Sequence, residues 1–315
     1  MPEPAIIVTG ATGFIGSALV RRLSADGATV VALTRDANRP AARRLAELDG
    51  VELREAASAA ALNEVFTGLA ARVVVHAAAP GVHPEDRHWS TLLDGAIGYT
   101  LALVEAAAER RVARILHLGS WSAYADPSDP DRPLSETDQL TRTNLYGACK
   151  ASAELIAAAQ AQALGIEFVS ARLFNVFGPG EDERRLLPYV IRKLSAGEPV
   201  ELTSGVQQRD FVFIDDAVEA LVRLANARAP RHAVYNICSG ASVPVRSLVE
   251  AACEAVSASP SLLRFGALPQ RRDEPLRICG DPARMRAEFG WSPSVGPLEG
   301  VRRVVDQYTH KGASE

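Results

Sequence analysis

Tyr146 and Lys150 stand four residues apart, which on a helix puts both side chains on one face, one turn from each other. A free tyrosine ionises near pH ~10 and is a poor base in neutral water. A neighbouring ammonium, and the positive nicotinamide of an oxidised dinucleotide, favour its phenolate. Run in the other direction, the phenol is a general acid that protonates a ketone oxygen while hydride reaches the carbon. Alone, a Tyr-x-x-x-Lys pair is a common solvated helix face with a half-buried ring. It gains weight from Ser120, which directly follows the apolar run Ile115 to Leu118 and so lies at the carboxyl edge of a sheet, where ligands bind. Ser120 can hold the same oxygen, and Ser122 is a second donor.

The segment Thr9-Gly10-Ala11-Thr12-Gly13-Phe14-Ile15-Gly16 lies between a strand and a helix, where backbone N–H groups and a helix dipole receive a pyrophosphate. Gly10 permits the tight turn, Gly13 lets the backbone approach the phosphates, and Gly16 allows close packing of helix on strand. Thr12, Phe14 and Ile15 complete this cofactor-binding turn. The choice of dinucleotide falls at the end of the second strand, where NAD binders place a carboxylate on the ribose. Here Thr34 and Arg35 occupy that corner, with Arg39 close by. A guanidinium holds a 2′-phosphate by charge-assisted bonds, so NADP(H) is preferred, with NAD(H) possible. The alternative is that Arg35 points into solvent while Asp36 takes the ribose.

The elements that must position these groups read as an α/β, Rossmann-like doubly wound parallel sheet with a smaller C-terminal substrate-binding lobe. Ala5 to Val8, Thr29 to Leu33, Val73 to His76, Ile115 to Leu118 and Phe168 to Leu173 have the apolar texture of buried strands. Ser17 to Ala25, Leu92 to Glu109 and Gly147 to Leu164 read as helices. The texture changes near Gly178-Pro179-Gly180, which divides a dinucleotide-binding domain, 1–178, from a lobe of 179–315. The strand and helix around 208–240 are expected to return to the first domain.

Composition removes other classes. With 34 basic against 38 acidic side chains, a formal net charge of -4 gives no basic face for nucleic acid. No apolar run reaches the ~18 residues of a membrane span, and no secretion signal opens the chain. Four scattered cysteines form no metal or disulfide spacing, so a cytoplasmic protein without a metal site is expected.

Taken in order, the motifs resemble the extended short-chain dehydrogenase/reductase family, in its nucleotide-sugar branch, over nearly the whole chain. They are TGATGFIG at 9–16, HAAAP at 76–80, GSWSAY at 119–124, RPLSETD at 132–138, TNLYGACK at 143–150, RLFNVFGPG at 172–180 and QRDFVFIDD at 208–216. RRDEP at 271–275 and a GW-x-P ending at 290–293 follow. The resemblance implies a triad of Ser120, Tyr146 and Lys150, cofactor contacts from Ala77, Ala78 and Ala79, and a nucleotide-diphosphate sugar as substrate. It implies that Asn175, Arg209 and Arg271 hold the phosphates and ribose of that sugar nucleotide, and that the helices at 92–109 and 147–164 pair in a homodimer.

Departures from the family narrow the chemistry. Dehydratases of this branch place an Asp-Glu pair after the catalytic hydroxyl residue; here Trp121 and Ser122 follow Ser120. The family's asparagine in the preceding helix is replaced by Gly95. The expectation is an NADPH-dependent reduction of a nucleotide-linked 4-keto-6-deoxyhexose, with Tyr146 as general acid. The alternatives are an NAD-dependent NDP-hexose 4-epimerase and a non-catalytic dinucleotide-sensing protein, the last of which leaves Tyr146 and Lys150 without a task.

Overall fold

The computed structural model describes residues 4–80, 88–127, 129, 131–140, 144–270 and 274–312. Its strands are β1 (Ala5–Thr9), β2 (Val30–Thr34), β3 (Val51–Glu55), β4 (Ala71–His76), β5 (Arg114–Ser120), β6 (Glu167–Leu173), β7 (Asn175–Phe177), β8 (Val200–Leu202), β9 (Gln208–Phe213), β10 (Val234–Ile237), β11 (Ser242–Pro244), β12 (Leu263–Phe265) and β13 (Arg277–Ile278). The helices are α1 (Phe14–Ala25), α2 (Pro40–Ala46), α3 (Leu62–Val65), α4 (Trp89–Leu92), α5 (Tyr99–Glu109), α6 (Leu145–Ala163), α7 (Leu186–Ser195), α8 (Ile214–Asn226), α9 (Val245–Ala255), α10 (Ala283–Phe289) and α11 (Pro297–Gly312).

Seven strands form one sheet in the order β10-β6-β5-β4-β1-β2-β3. The pairings of β1 through β6 are parallel, and the bonds Ser170 N–H to Ala233 O and Phe174 N–H to Ile237 O add β10 in the same sense. The chain winds one way from β1 to β3 and the other way from β4, so the direction reverses between neighbours β1 and β4. In doubly wound sheets ligands bind at such a reversal. β1 and β2 are buried at every position, as strands covered on both faces must be. β3 is an edge strand whose alternating charges, Glu52, Arg54 and Glu55, give no apolar run, so the sequence did not reveal it. On one face, Val74, Ile115 and the partly buried Phe168 meet Leu103 and Val104 of α5 and Ala157 and Ala161 of α6. Alanine at these helix positions lets the helices lie close on the sheet.

The stretch Trp89–Glu109 is long and apolar enough, by length and composition, to cross a bilayer, which corrects the expectation of no such run. Its Leu103, Val104, Ala106 and Ala107 are spent on the core of the sheet.

Two compact units emerge. The first takes Met1–Ala125, Thr137–Leu173 and Val218–Tyr235; the second takes Asp126–Glu136, Phe174–Ala217 and Asn236–Glu315. The second unit thus begins at Phe174 and claims a segment upstream of α6. Within 208–240, β9 pairs with β7, β11 and β13, all in the second unit, whereas Val218–Tyr235, most of α8 included, belongs to the first unit and β10 joins its seven-stranded sheet. Asp126–Glu136 is drawn into the second unit because Leu134 N–H donates to Cys279 O and Asp281 N–H donates back to Leu134 O, each at 2.8 Å.

Two buried carboxylates pin the second unit. Asp210 accepts the N–H groups of Ser239 (2.8 Å), Gly240 (3.0 Å) and Gly280 (3.1 Å). Asp216 accepts Ser294 N–H (2.9 Å), the Ser294 hydroxyl (2.7 Å) and Val295 N–H (3.0 Å), while its own carbonyl takes Trp291 Nε1–H. Replacing Asp216 by alanine leaves three donors without their acceptor, a cost of about 2–4 kcal/mol. A urea titration should show the midpoint falling accordingly; an unmoved midpoint would mean that the 291–295 segment is held by other contacts.

Candidate active site

The glycine turn has the shape of a phosphate cradle. Gly10 sits at φ +63°, and a Cβ there would stand 2.7 Å from Ala78 N; one on Gly16 would stand 2.2 Å from Gly10 O. Both glycines are required by backbone contact. At Gly13 a Cβ would meet only Gly10 O, at 3.2 Å, so its other side is open. Gly13 is the N-cap of α1 and offers no side-chain acceptor. The first-turn N–H groups, around Phe14 and Ile15, are therefore left for an external anion, and this turn fits a dinucleotide pyrophosphate. Thr12 lies in it, partly buried.

The loop after β4, Ala77 to Ala79, is tied to this turn by a directional chain. Ala78 N–H donates to Thr9 Oγ1 (3.2 Å), Thr9 Oγ1 contacts His76 Nδ1 (2.7 Å), His76 Nε2 contacts Thr100 Oγ1 (2.9 Å), and Thr100 donates to Ala96 O (2.6 Å). With its proton given to Ala96, Thr100 accepts from Nε2–H; Nδ1 is then bare and Thr9 donates to it. His76 is a neutral imidazole, and burial, with a smaller contribution from Lys150, lowers it to about 3.

The chain ends in a π-helical stretch, Leu93–Gly98, of a kind often found at functional sites. A Cβ on Gly95 within it would stand 2.9 Å from Pro80 Cγ. Pro80 fills the space that a side chain at 95 would take.

At the cofactor corner β2 ends at Thr34, whose hydroxyl donates to Asp36 O at 3.2 Å. Arg35 is exposed. Asp36 is turned into its own loop, accepting Asn38 N–H at 2.9 Å and lying 3.7 Å from Arg39.

Ser120 closes β5 and caps the short turn Trp121–Ala123: its Oγ accepts Ser122 N–H at 3.1 Å and lies 2.8 Å from Ser122 Oγ. Asn144 Oδ1 accepts Gly147 N–H at 2.8 Å and so starts α6, which sets Tyr146 in its first turn and Lys150 one turn on. Lys150 is 6% exposed and donates from Nζ to Leu118 O at 2.8 Å. Burial lowers its ammonium to about 8, against the pull of Glu154. The first unit thus brings the serine pair and the buried lysine to the end of one strand, β5.

Sequence reasoning missed the polar layer beneath. His76, His117 and Ser170 stand in register across β4, β5 and β6. Neither ring nitrogen of His117 has a hydrogen-bond partner among the described residues, and burial, then the charge of Lys150, drives it well below its ordinary range. Glu154 accepts from Ser170 Oγ and Arg172. Glu154 was findable as a carboxylate one turn past Lys150 on the buried face of an Ala-rich helix.

Of the expected substrate residues, Asn175 uses Nδ2 on Asp210 O at 2.9 Å. Arg209 is buried and donates to Gln208 O and Glu274 Oε1, both at 2.7 Å. It forms an ion pair with the half-buried Glu274 in the second unit. Arg271 lies outside the described residues.

Residues 6–238 match the family described as the NAD dependent epimerase/dehydratase family. CDP-abequose synthase of Salmonella typhimurium is 29% identical over 95% of this chain and 97% of its own length. UDP-glucose 4-epimerase of Mycolicibacterium smegmatis is 31% identical over 97% and 98%. Among solved structures, MoeE5 in complex with UDP-glucose and NAD has a TM-score of 0.83 at 28% identity, covering 98% of this chain and 99% of that one.

The two histidines make a pH dependence. Unfolded, each binds a proton below its ordinary ~6.5; folded, both stay neutral, His76 down to about 3. The unfolded chain therefore holds more protons, and stability is present above pH ~6.5 and is lost as pH falls, by up to ~1.4 kcal/mol per pH unit for each histidine. Urea midpoints compared at neutral and mildly acid pH should show a shallower loss for His117→Phe than for the parent; equal slopes would mean that His117 is protonated in the fold.

Proposed function

The chain belongs to the NAD dependent epimerase/dehydratase family, and from that premise we propose that it reduces a nucleotide-linked 4-keto-6-deoxyhexose to the 4-hydroxy sugar with NADPH. The observation that carries this reading is the corner after β2. Arg35 is exposed there and has no ion-pair partner among the described residues, while Asp36 is occupied by the loop. An unpaired guanidinium suits a 2′-phosphate, and a cofactor exchanged at each turnover suits net reduction. Trp121 and Ser122 supply no acid-base pair for eliminating water, which speaks against dehydration.

The turn from Gly10 to Gly16 would hold a nicotinamide dinucleotide, which would supply hydride to the carbonyl carbon. Tyr146 gives its phenolic proton to the carbonyl oxygen, and Lys150 favours the phenolate left behind. Ser120 Oγ accepts Ser122 N–H and shares a hydrogen bond with Ser122 Oγ; with the Ser122 hydroxyl as donor of that bond, the proton of Ser120 is free for the carbonyl oxygen. Arg209, with five N–H donors of which the protein uses some, and Asn175 and Arg271 are assigned to the sugar nucleotide. The second reading, an NDP-hexose 4-epimerase that retains NAD, draws on the M. smegmatis relative and on the NAD in the MoeE5 complex. A homodimer would bury the exposed Leu155 and Ile156 of α6 together with Leu93.

Mixing the protein with a panel of NDP-4-keto-6-deoxyhexoses should consume NADPH stoichiometrically with one sugar, and NADH poorly. Retained NAD with interconversion of plain NDP-hexoses would select the epimerase instead. Tyr146→Phe should lower kcat by about 10²–10⁴. Arg35→Ala should weaken NADPH binding by roughly ten- to a hundredfold and leave NADH nearly unchanged; an unaltered NADPH/NADH ratio removes Arg35 from cofactor choice.

A further inference from the structure

We propose that the buried Glu154–Arg172 pair is the positioning element of this site: it grips the end of β5 and sets the surroundings of Lys150, one helical turn away on α6. The proposal rests on the tyrosine-lysine reading above.

Glu154 and Arg172 are each 4% exposed. The carboxylate accepts Ser170 Oγ at 2.8 Å and Arg172 Nε at 3.0 Å. A buried ion pair is costly to assemble, and apolar residues of similar volume often serve packing as well or better, so its place needs a reason. Gly119 gives one. A Cβ there would stand 2.7 Å from Ser170 Oγ, 2.9 Å from Glu154 Oε2 and 3.0 Å from Arg172 Cγ. The pair lies against the backbone between Leu118, whose carbonyl takes Lys150, and Ser120. Arg172 also lies 4.7 Å from the ring centroid of Tyr124, which is fully buried and ends the turn that Ser120 begins. The polar pair thus packs against Gly119, just before Ser120, and against Tyr124, just after its turn.

Charge gives the second reason. Lys150 and Glu154 stand four apart on the buried face of α6, the charge of Lys150 also acts on His76 of β4 and His117 of β5, and Arg172 of β6 is bonded to Glu154. Both histidines are neutral and Arg172 is a cation; Glu154 is the anion, and its charge opposes the loss of the Lys150 proton. With Glu154→Gln, Lys150 loses the anion that opposes its discharge. Tyr146 then loses the ammonium that favours its phenolate. Removing the cation with Arg172→Gln leaves Glu154 acting on Lys150 alone, and the effect reverses.

The test is a tyrosinate absorbance titration in saturating NADP⁺, each protein measured against the same protein carrying Tyr146→Phe, with circular dichroism as the check on folding. The midpoint of Tyr146 should rise by about one pH unit in Glu154→Gln and fall in Arg172→Gln. A purely structural pair would shift both alike or neither, and either result overturns the proposal. Should Glu154→Gln not fold, Arg172→Gln decides alone: a lowered midpoint supports the proposal, and an unmoved or raised one ends it. A parent Tyr146 that titrates at its ordinary value ends the tyrosine-lysine reading, and this proposal with it; a lowered parent with unmoved variants ends the proposal alone.

Discussion

A lysine ammonium almost shut off from water, with a strand carbonyl 2.8 Å from it, has to be compensated by its surroundings, because an unpaired buried charge costs several kcal/mol. Much of the first unit's polar interior answers that demand. Along the face covered by α5 and α6, the row Val74, Ile115 and Phe168 is apolar; the next row on the same face is His76, His117 and Ser170. Within one pleat repeat, about 7 Å, the sheet passes from core to charged interior. The neutral histidines add no charge that would expel the lysine's proton, and Glu154, held by Ser170 and Arg172, supplies the opposite one.

The second unit solves a related problem with fixed backbone donors. Asp210, central in β9, collects N–H groups from the adjacent Ser239 and Gly240 and from the distant Gly280. Its neighbour Arg209 is thereby set at a defined position, paired with Glu274. A pinned strand makes a long cationic side chain directional.

The glycine turn, the serine at the strand end and the Tyr-x-x-x-Lys spacing were legible in the sequence because each depends on local chemistry: a φ value, a strand terminus, a helical turn. The doubly wound sheet was legible from its apolar runs. Edge strand β3 was not, since a half-exposed strand alternates with charge, and the short β10 carries too few residues for a pattern. The polar layer was illegible for another reason. His117 and Arg172 read as ordinary residues of two separate strands, and only the register of β5 with β6 puts them beside Lys150 and Glu154. The unit boundary failed similarly, because Leu134 joins the second unit through partners some 145 residues away in sequence.

Pro80 and Gly95 occupy one another's space, with 2.9 Å between the proline ring and a Cβ that glycine lacks. The two positions are consequently locked in order of substitution. A lineage that places any side chain at 95 has first to give up the proline, and one that keeps the proline has closed off asparagine, serine and alanine alike. Placing an asparagine at 95 is therefore a double replacement, and its single-residue version would report the clash with the proline rather than the effect of the amide.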